Sequence, residues 1–413
     1  MWSVEDSLHE LDTLARTAGA EVVGTMVQHL HHPDVATYLG KGRTQELSDL
    51  EKQLRLDLVI FDDELSPSQQ RNLEKMLHVR VLDRTALILD IFAQHAHTRE
   101  GRLQVELAQL EYRLPRLTGR GTELSRLGGG SRSAGAGGVG GAIGVRGPGE
   151  TKLEIDRRRI RSRIAELREE IEGVREQRQL HRQQRASNSI PVIAVVGYTN
   201  TGKSTLFNAL TESEVLVQDK LFATLDPTTR HLLLPGNQEA LLTDTVGFIQ
   251  KLPTRLIAAF RATLEEVIDA DVLLEVVDVS HENAIEQSET VNDVLHELNA
   301  AGKPRVTALN KIDLLDDPSS EVDTTLYTNA VAVSALRRLG FEALREKIAQ
   351  VLAESMEVVQ VTIPYAKSEL VELFHRRGRV DKEEHRSEGT FLAGRIPRAL
   401  RGYYATYLQT GEE

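Results

Sequence analysis

The 413-residue chain contains no cysteine. That excludes disulfides and thiolate metal sites, and it fits a reducing compartment. No apolar run approaches the ~20 residues that cross a bilayer. The first ten residues, MWSVEDSLHE, carry no positive segment followed by an apolar one. Neither a membrane span nor a secretory signal is expected, and the expected location is the cytoplasm. Positive charge is not in excess: 62 acidic side chains against 50 basic ones give a net charge of -12, which argues against a general nucleic-acid binder. What the chain does have, 40% apolar and 27% charged residues, is the composition of a soluble globular protein. Its length suits roughly two to four domains.

The net charge hides a distribution. Residues 1–100 hold 10 basic and 17 acidic side chains, residues 101–190 hold 18 and 11, and residues 191–413 hold 22 and 34. The middle segment alone is positive, by 18 - 11 = 7 charges. It could meet a polyanion, or it could be a solvated helical face of mixed charge.

Residues 20–28, 56–63 and 79–83 read as strands, with helices over 42–54 and 67–77 between them. The pattern β-α-β-α-β implies a small parallel sheet. Residues 84–117 read as one long helix with Gly101 as a tolerable interruption. Residues 150–185 read as a second, in which Ile160, Ile164, Leu167, Ile171 and Val174 form a seam at spacings of four and three. Two such helices pair most simply antiparallel. The expected domains are 1–83, 84–186, 187–356 and 357–413. The last of these, a small α+β piece of order β-α-β-β, carries the basic patches HRRGR and GRIPRALRG.

Between the long helices, residues 119–150 hold 13 of the 30 glycines together with Arg120, Arg126, Arg132 and Arg146. This stretch has little to bury and a high ordering cost. It is either a flexible linker or a tip that orders on a phosphate-rich surface. The arginines favour the second reading, since a neutral linker needs none.

Chemistry concentrates after residue 187, where strands at 192–196, 231–234, 240–244, 272–278, 305–310 and 330–334 alternate with helices. GYTNTGKS, Gly197 to Ser204, fits G-x-x-x-x-G-K-[S/T] between the strand VIAVV and the helix STLFNAL. Such glycines let backbone N–H groups curl toward phosphates at a helix N-terminus. Lys203 is expected on the β- and γ-phosphates and Ser204 on Mg²⁺. FATLDPTTR offers Thr224 to the metal and γ-phosphate, with Thr228 and Thr229 as rivals. In DTVGF, Asp244 would hold Mg²⁺ through water and the Gly247 N–H would meet the γ-phosphate. VTALNKID supplies Asn310, Lys311 and Asp313. The Asp313 carboxylate can accept from guanine N1–H and its 2-amine, a donor pair that adenine lacks. AVSAL supplies Ser334 and an Ala335 N–H for guanine O6. Together these predict a Ras-like P-loop GTPase domain using GTP and Mg²⁺, with Lys203, Thr224 and Gly247 acting on the transferred phosphate. Residues 215–229 and 247–260 are the candidate switches.

One part is missing. The residue after the Asp-x-x-Gly turn is often a Gln that orients water, and here it is Phe248. Either another group of the chain completes the site, or a partner does. The functions these features allow are a ribosome-associated GTPase, a non-ribosomal signalling switch whose helical hairpin docks a protein, and, least, an RNA remodeller.

TYLGKGR (37–43), DRTALILDIFAQHAHTREGRLQVELAQLEYRLPRL (83–117) and GVRGPGETKLEIDRRRI (144–160), with the motifs above, resemble the HflX family of GTPases along nearly the whole chain. The resemblance implies an α/β architecture in which a small α/β domain and a long antiparallel helical hairpin precede the GTPase domain. A small α+β domain follows it. It implies binding to the large ribosomal subunit and the 70S ribosome as a monomer, and splitting or rescue of stalled ribosomes under stress. It implies hydrolysis stimulated by the ribosome, and a loop at 119–149 that probes ribosomal RNA through Arg120, Arg126, Arg132 and Arg146. Family nucleotide contacts map onto Gly197, Tyr198, Thr199, Asn200, Thr201, Gly202, Lys203, Ser204, Thr205, Thr224, Asp244, Gly247, Asn310, Lys311, Asp313, Ser334 and Ala335. Lys152 and Thr201 depart from the commoner family residues, and the Gly-rich insert looks enlarged.

Overall fold

The computed structural model describes residues 2–117, 148–187, 190–212, 221–222, 224–251, 261–315, 323–397 and 400–408. Contacts divide the chain into two compact units. One comprises residues 3–174 and 253–259, and the other residues 1–2, 175–252 and 260–413.

The first unit begins with α1 (Val4–Thr17). Ser3 caps it by accepting from the Asp6 N–H while the Asp6 side chain returns to Ser3, which satisfies two otherwise orphan donors. α2 (Lys41–Leu54) leads to β1 (Leu58–Phe61), α3 (Pro67–Leu77) and β2 (Arg80–Asp83). β1 and β2 pair parallel with Leu58 opposite Arg80. Leu47, Phe61, Leu65, Leu73, Leu77 and Val81 form their core, each contributing about 1.5–3 kcal/mol by burial. Residues 20–28, expected as a strand, join no ladder among the described residues. Apolar alternation there buries only one side of the chain, with Met26 against the core and Val23 exposed.

Asp83 ends β2 and organises the next junction. It caps α4 (Arg84–His95) by accepting from the Ala86 N–H, and it also accepts from the Leu65 N–H, Tyr112 Oη and Arg116. Its neighbour Arg84 is buried between Glu10 and Asp62, so its charge is compensated twice.

The single helix expected over 84–117 is two. α4 stops at His95, and α5 (Arg99–Arg116) restarts with Thr98 as its cap. The break lies at Ala96–Thr98, not at Gly101, because Thr98 Oγ1 accepts the Gly101 N–H in place of a helical carbonyl. α6 (Pro148–Ser187) is continuous. Leu103, Leu107, Leu110 and Leu114 of α5 pack on Ile160, Ile164, Leu167 and Ile171 of α6. Arg99 pairs with Glu170 and Glu106 with Arg163. Position rises along one helix as it falls along the other, so the hairpin is antiparallel.

The second unit is built on a six-stranded sheet of order β4-β5-β3-β6-β7-β8. The strands are β3 (Val192–Val196), β4 (Thr228–Leu234), β5 (Gln238–Asp244), β6 (Val272–Asp278), β7 (Arg305–Asn310) and β8 (Ala330–Ala332). Only β4 runs antiparallel to its neighbour. Continuous apolar runs such as VIAVV and VLLEVVD are buried, as strands covered on both faces require. The helices are α7 (Lys203–Thr211), α8 (Arg261–Asp269), α9 (Ala284–Glu297) and α10 (Phe341–Ser355). After them, β9 (Glu357–Ile363), α11 (Ser368–Arg377), β10 (Arg379–Arg386) and β11 (Gly389–Ile396) form an antiparallel sheet of order β10-β11-β9. Phe374 and Tyr404 meet edge to face in its core. Among the described residues no helix is long and apolar enough to cross a membrane.

Candidate functional site

The carboxyl ends of β3, β5, β6 and β7 meet where the strand order reverses, the usual position of a crevice in an open α/β sheet. The loop from β3 to α7 lines it. Gly197 and Gly202 have positive φ of 149° and 91°. A Cβ on Gly197 would lie 2.4 Å from the Val276 carbonyl, and one on Gly202 would lie 2.4 Å from Asn310 Nδ2. Glycine is therefore demanded at both, by conformation and by space. The loop holds itself by Thr201 Oγ1 donating to the Tyr198 carbonyl at 3.0 Å. The N-terminus of α7 then faces the crevice, where a helix favours an anion.

A cavity of about 400 Å³ opens here. Thr199, Asn200, Gly202, Lys203, Ser204, Thr205, Thr224, Gly247, Asn310, Lys311, Asp313 and Ala335 line it, all residues the motifs single out. The remaining residues of that set support the lining from behind. Gly197, Tyr198, Thr201, Asp244 and Ser334 are buried or packed beneath it.

At one end three oxygens converge. Ser204 Oγ donates to Asp244 Oδ2 at 2.8 Å, Thr224 Oγ1 donates to the same atom at 3.0 Å, and the two hydroxyls lie 2.8 Å apart. Asp244 Oδ1 is buried with no side-chain hydrogen-bond partner among the described residues. Burial pushes the Asp244 carboxyl up, against the opposing pull of Ser204 and Lys203. Of the rival threonines, Thr229 Oγ1 sits against Thr243 Oγ1 at 3.0 Å, and Thr228 lies opposite Asp244 in the β4–β5 ladder. Lys203 is buried beside this cluster and donates to the Tyr198 carbonyl. Desolvation lowers its pKa to about 8, with Asp244 opposing.

At the other end, Asn310 Nδ2 donates to the Thr201 carbonyl at 2.8 Å, and Asn310 Oδ1 accepts from the Ala335 N–H at 2.9 Å. Asn310 thus bolts the phosphate-type loop to the segment after β8. Ser334 Oγ donates to Asp313 Oδ1 and accepts from the Arg337 N–H, fixing the carboxylate. Lys311 adopts φ 68° and pairs with Asp278 at 2.6 Å.

The Asp-x-x-Gly turn is clamped to the loop. The Phe248 N–H donates to the Gly197 carbonyl at 3.0 Å, and the Thr199 N–H donates to the Phe248 carbonyl at 2.8 Å. Tyr198 Oη accepts from the Gln250 N–H at 2.8 Å. The Phe248 side chain is 1% exposed and faces the core.

Sequence reasoning missed four lining residues, Phe222, Thr245, Leu314 and Leu336. Leu314 and Leu336 are 64% and 72% exposed; apolar residues directly after the two base-type motifs were their signal. Thr245 is held inward by its hydroxyl donating to the Val195 carbonyl. Arg120, Arg126, Arg132 and Arg146 lie outside the described residues, as do 215–220, 223 and 252–260 of the two candidate switches.

Three family models match the chain. Residues 5–93 match the GTP-binding GTPase N-terminal domain, residues 95–185 the GTP-binding GTPase middle region, and residues 192–311 the 50S ribosome-binding GTPase. GTPase HflX of Caldanaerobacter subterraneus is 49% identical over 392 residues, covering 95% of this chain and 88% of that protein. GTPase HflX of Escherichia coli is 41% identical over 401 residues, covering 95% and 90%. A GTP-binding protein from Sulfolobus solfataricus, solved in complex with GDP, is 27% identical with a TM-score of 0.43, covering 84% of this chain and 95% of that one.

Proposed function

The chain belongs to the HflX family of GTPases, and from that membership we propose that GTP controls its attachment to the large ribosomal subunit, where it splits or rescues stalled ribosomes. One observation carries the nucleotide part. A single cavity has a cluster of hard oxygens and a buried lysine at one end and a fixed carboxylate with a backbone donor at the other. Those ends match the two ends of a guanine nucleotide.

In this reading the N–H groups of the loop from Asn200 to Thr205 hold the phosphates, and Lys203 neutralises the β- and γ-oxygens. Asp313 would accept from the guanine N1–H and 2-amine, and the Ala335 N–H, which donates to Asn310 Oδ1 in this structure, would pass to O6. Leu314 and Leu336 flank the base. Ser204, Thr224 and Asp244 fit Mg²⁺, a cation that prefers oxygen ligands, and Asp244 Oδ1, without a side-chain partner among the described residues, supports that fit. When bound, Mg²⁺ would neutralise charge developing on the phosphates. The Gly247 N–H would donate to the γ-phosphate, which couples the state of the nucleotide to the segment after it.

The Phe248 ring is buried and cannot orient water, so the isolated protein hydrolyses GTP slowly and a partner completes the site. The family model over residues 192–311, described as a 50S ribosome-binding GTPase, supports the ribosome as that partner. The arginines of 119–149 would then contact ribosomal RNA and make binding salt-dependent.

The test is GTP turnover by the purified protein alone, with 30S and with 50S subunits. Stimulation by 50S is expected; its absence at both low and moderate salt would overturn the ribosomal reading. Sedimentation of 70S particles with a non-hydrolysable GTP analogue tests splitting. Free subunits support it, and intact 70S particles remove it.

A further inference from the structure

Resting on the guanine site proposed above, we infer that Asp278 is a positioning residue for base recognition, acting through its ion pair with Lys311. Asp278 is the last residue of β6 and is buried. It stands directly opposite Asn310 in the β6–β7 ladder, one strand away from the segment that reads the base. Its two oxygens are used in different directions. Oδ2 receives the Lys311 ammonium at 2.6 Å. Oδ1 accepts from the Ser280 N–H at 3.1 Å and from Ser280 Oγ at 2.6 Å. The carboxylate therefore ties the turn after β6 to the turn after β7, beside the Val279 N–H donating to the Asn310 carbonyl at 3.1 Å.

Lys311 needs such a tie. Its φ of 68° is a left-handed conformation that a long side chain seldom adopts. It lies between Asn310 and Asp313, both of which line the cavity, and lines it as well. With the ammonium drawn back to Asp278, Lys311 offers the cavity its methylene stem, an apolar surface for a base face. The ammonium is also kept from Asp313. Without Asp278 it can turn to that carboxylate two residues away and compete with the guanine donors. Asp278 thus acts on affinity and on the choice of base, without touching the nucleotide.

The test uses the full-length protein, GDP labelled with a fluorophore on the ribose, and unlabelled GDP, IDP and ADP as competitors. IDP lacks the 2-amine. For Asp278→Asn, dissociation of the labelled GDP is expected to quicken about tenfold, as for loss of one partner of a partly buried charge pair. The preference for GDP over IDP should shrink by at least about threefold, a change that a merely structural role would not produce. Lys311→Met also loses the tie but leaves no ammonium to reach Asp313, so it should speed dissociation without changing the GDP-to-IDP preference, and adding it to Asp278→Asn should restore that preference. If Asp278→Asn does not fold, as judged by its melting curve, Lys311→Met carries the test alone through GDP release. Unchanged GDP release in the variants and unchanged GDP-to-IDP preference in Asp278→Asn, beside a wild type that prefers GDP to ADP, would overturn this inference only. A wild type with no preference for GDP over ADP would instead overturn the guanine site itself.

Discussion

The carbonyl of Phe248 accepts the N–H of Thr199 at 2.8 Å, so the residue after the Asp-x-x-Gly turn is stitched by its backbone to the loop that precedes α7. The partner bond, from the Phe248 N–H to the Gly197 carbonyl, makes the stitch two-sided. With its backbone fixed there, the ring enters the core.

Replacing Phe248 by Gln therefore does not restore a water-orienting side chain. The amide would be buried where the ring packs. A loss of about 2–4 kcal/mol of stability is expected from lost packing and an unsatisfied polar group. Melting curves and single-protein GTP turnover check this. A rise in turnover above about threefold with unchanged melting would contradict it.

Gly247→Ala probes the same junction from the other side. A Cβ there would sit 2.9 Å from Lys203 Nζ and from Thr199 Cγ2, and 3.0 Å from Thr199 Cα. The turn must retreat, and the Gly247 N–H retreats with it. Hydrolysis, measured as phosphate release with 50S subunits, should fall about 10²-fold, while GDP affinity stays within about threefold. Equal losses in both would assign Gly247 a structural role only.

In the proposed site, Lys203 is expected to link nucleotide binding to pH. Burial lowers its pKa from 10.5 to about 8. Phosphates raise it again, so binding above about pH 8 takes up a proton, and affinity for GDP falls as pH rises through that value. The empty fold moves the opposite way. Its lysine is neutral where the unfolded chain's is still charged, so the cost that burying this group places on folding is relieved progressively from about pH 8 to 10.5. Calorimetry of GDP binding in buffers of different ionisation heat at pH 9 should report the uptake, and Lys203→Met should abolish it. No dependence on buffer would refute the linkage.

Asp313→Asn exchanges an acceptor pair for a donor and an acceptor. GTP affinity should drop by about 10²-fold or more, and xanthosine triphosphate, whose 2-oxo group accepts, should gain. Competition binding with the two nucleotides measures the exchange. Undiminished GTP affinity would remove Asp313 from the base site.

Much of this site was legible because its chemistry is local. Gly197, Gly202, Lys203 and Ser204 sit within eight residues, and Asn310 to Asp313 within four, so spacing alone revealed them. Contacts between distant segments were not legible. Nothing in the spacing says that Asn310 spans to Thr201 and Ala335, that Tyr198 receives Gln250, or that Asp278 holds Lys311. In the fold, the antiparallel hairpin followed from the seam Ile160 to Ile171. The break at Ala96–Thr98 did not, because a helical apolar rhythm continued through it while Thr98 captured the next turn. Residues 20–28 had a strand's alternation without a neighbouring strand among the described residues to complete it.

The most direct test is co-sedimentation of the full-length protein with 50S subunits in three states: nucleotide-free, GDP-loaded, and loaded with a non-hydrolysable GTP analogue. The GTP-like state should bind at least about tenfold more tightly than the other two, a difference of about 1.4 kcal/mol. Equal binding in all three would contradict the claim that the nucleotide governs attachment.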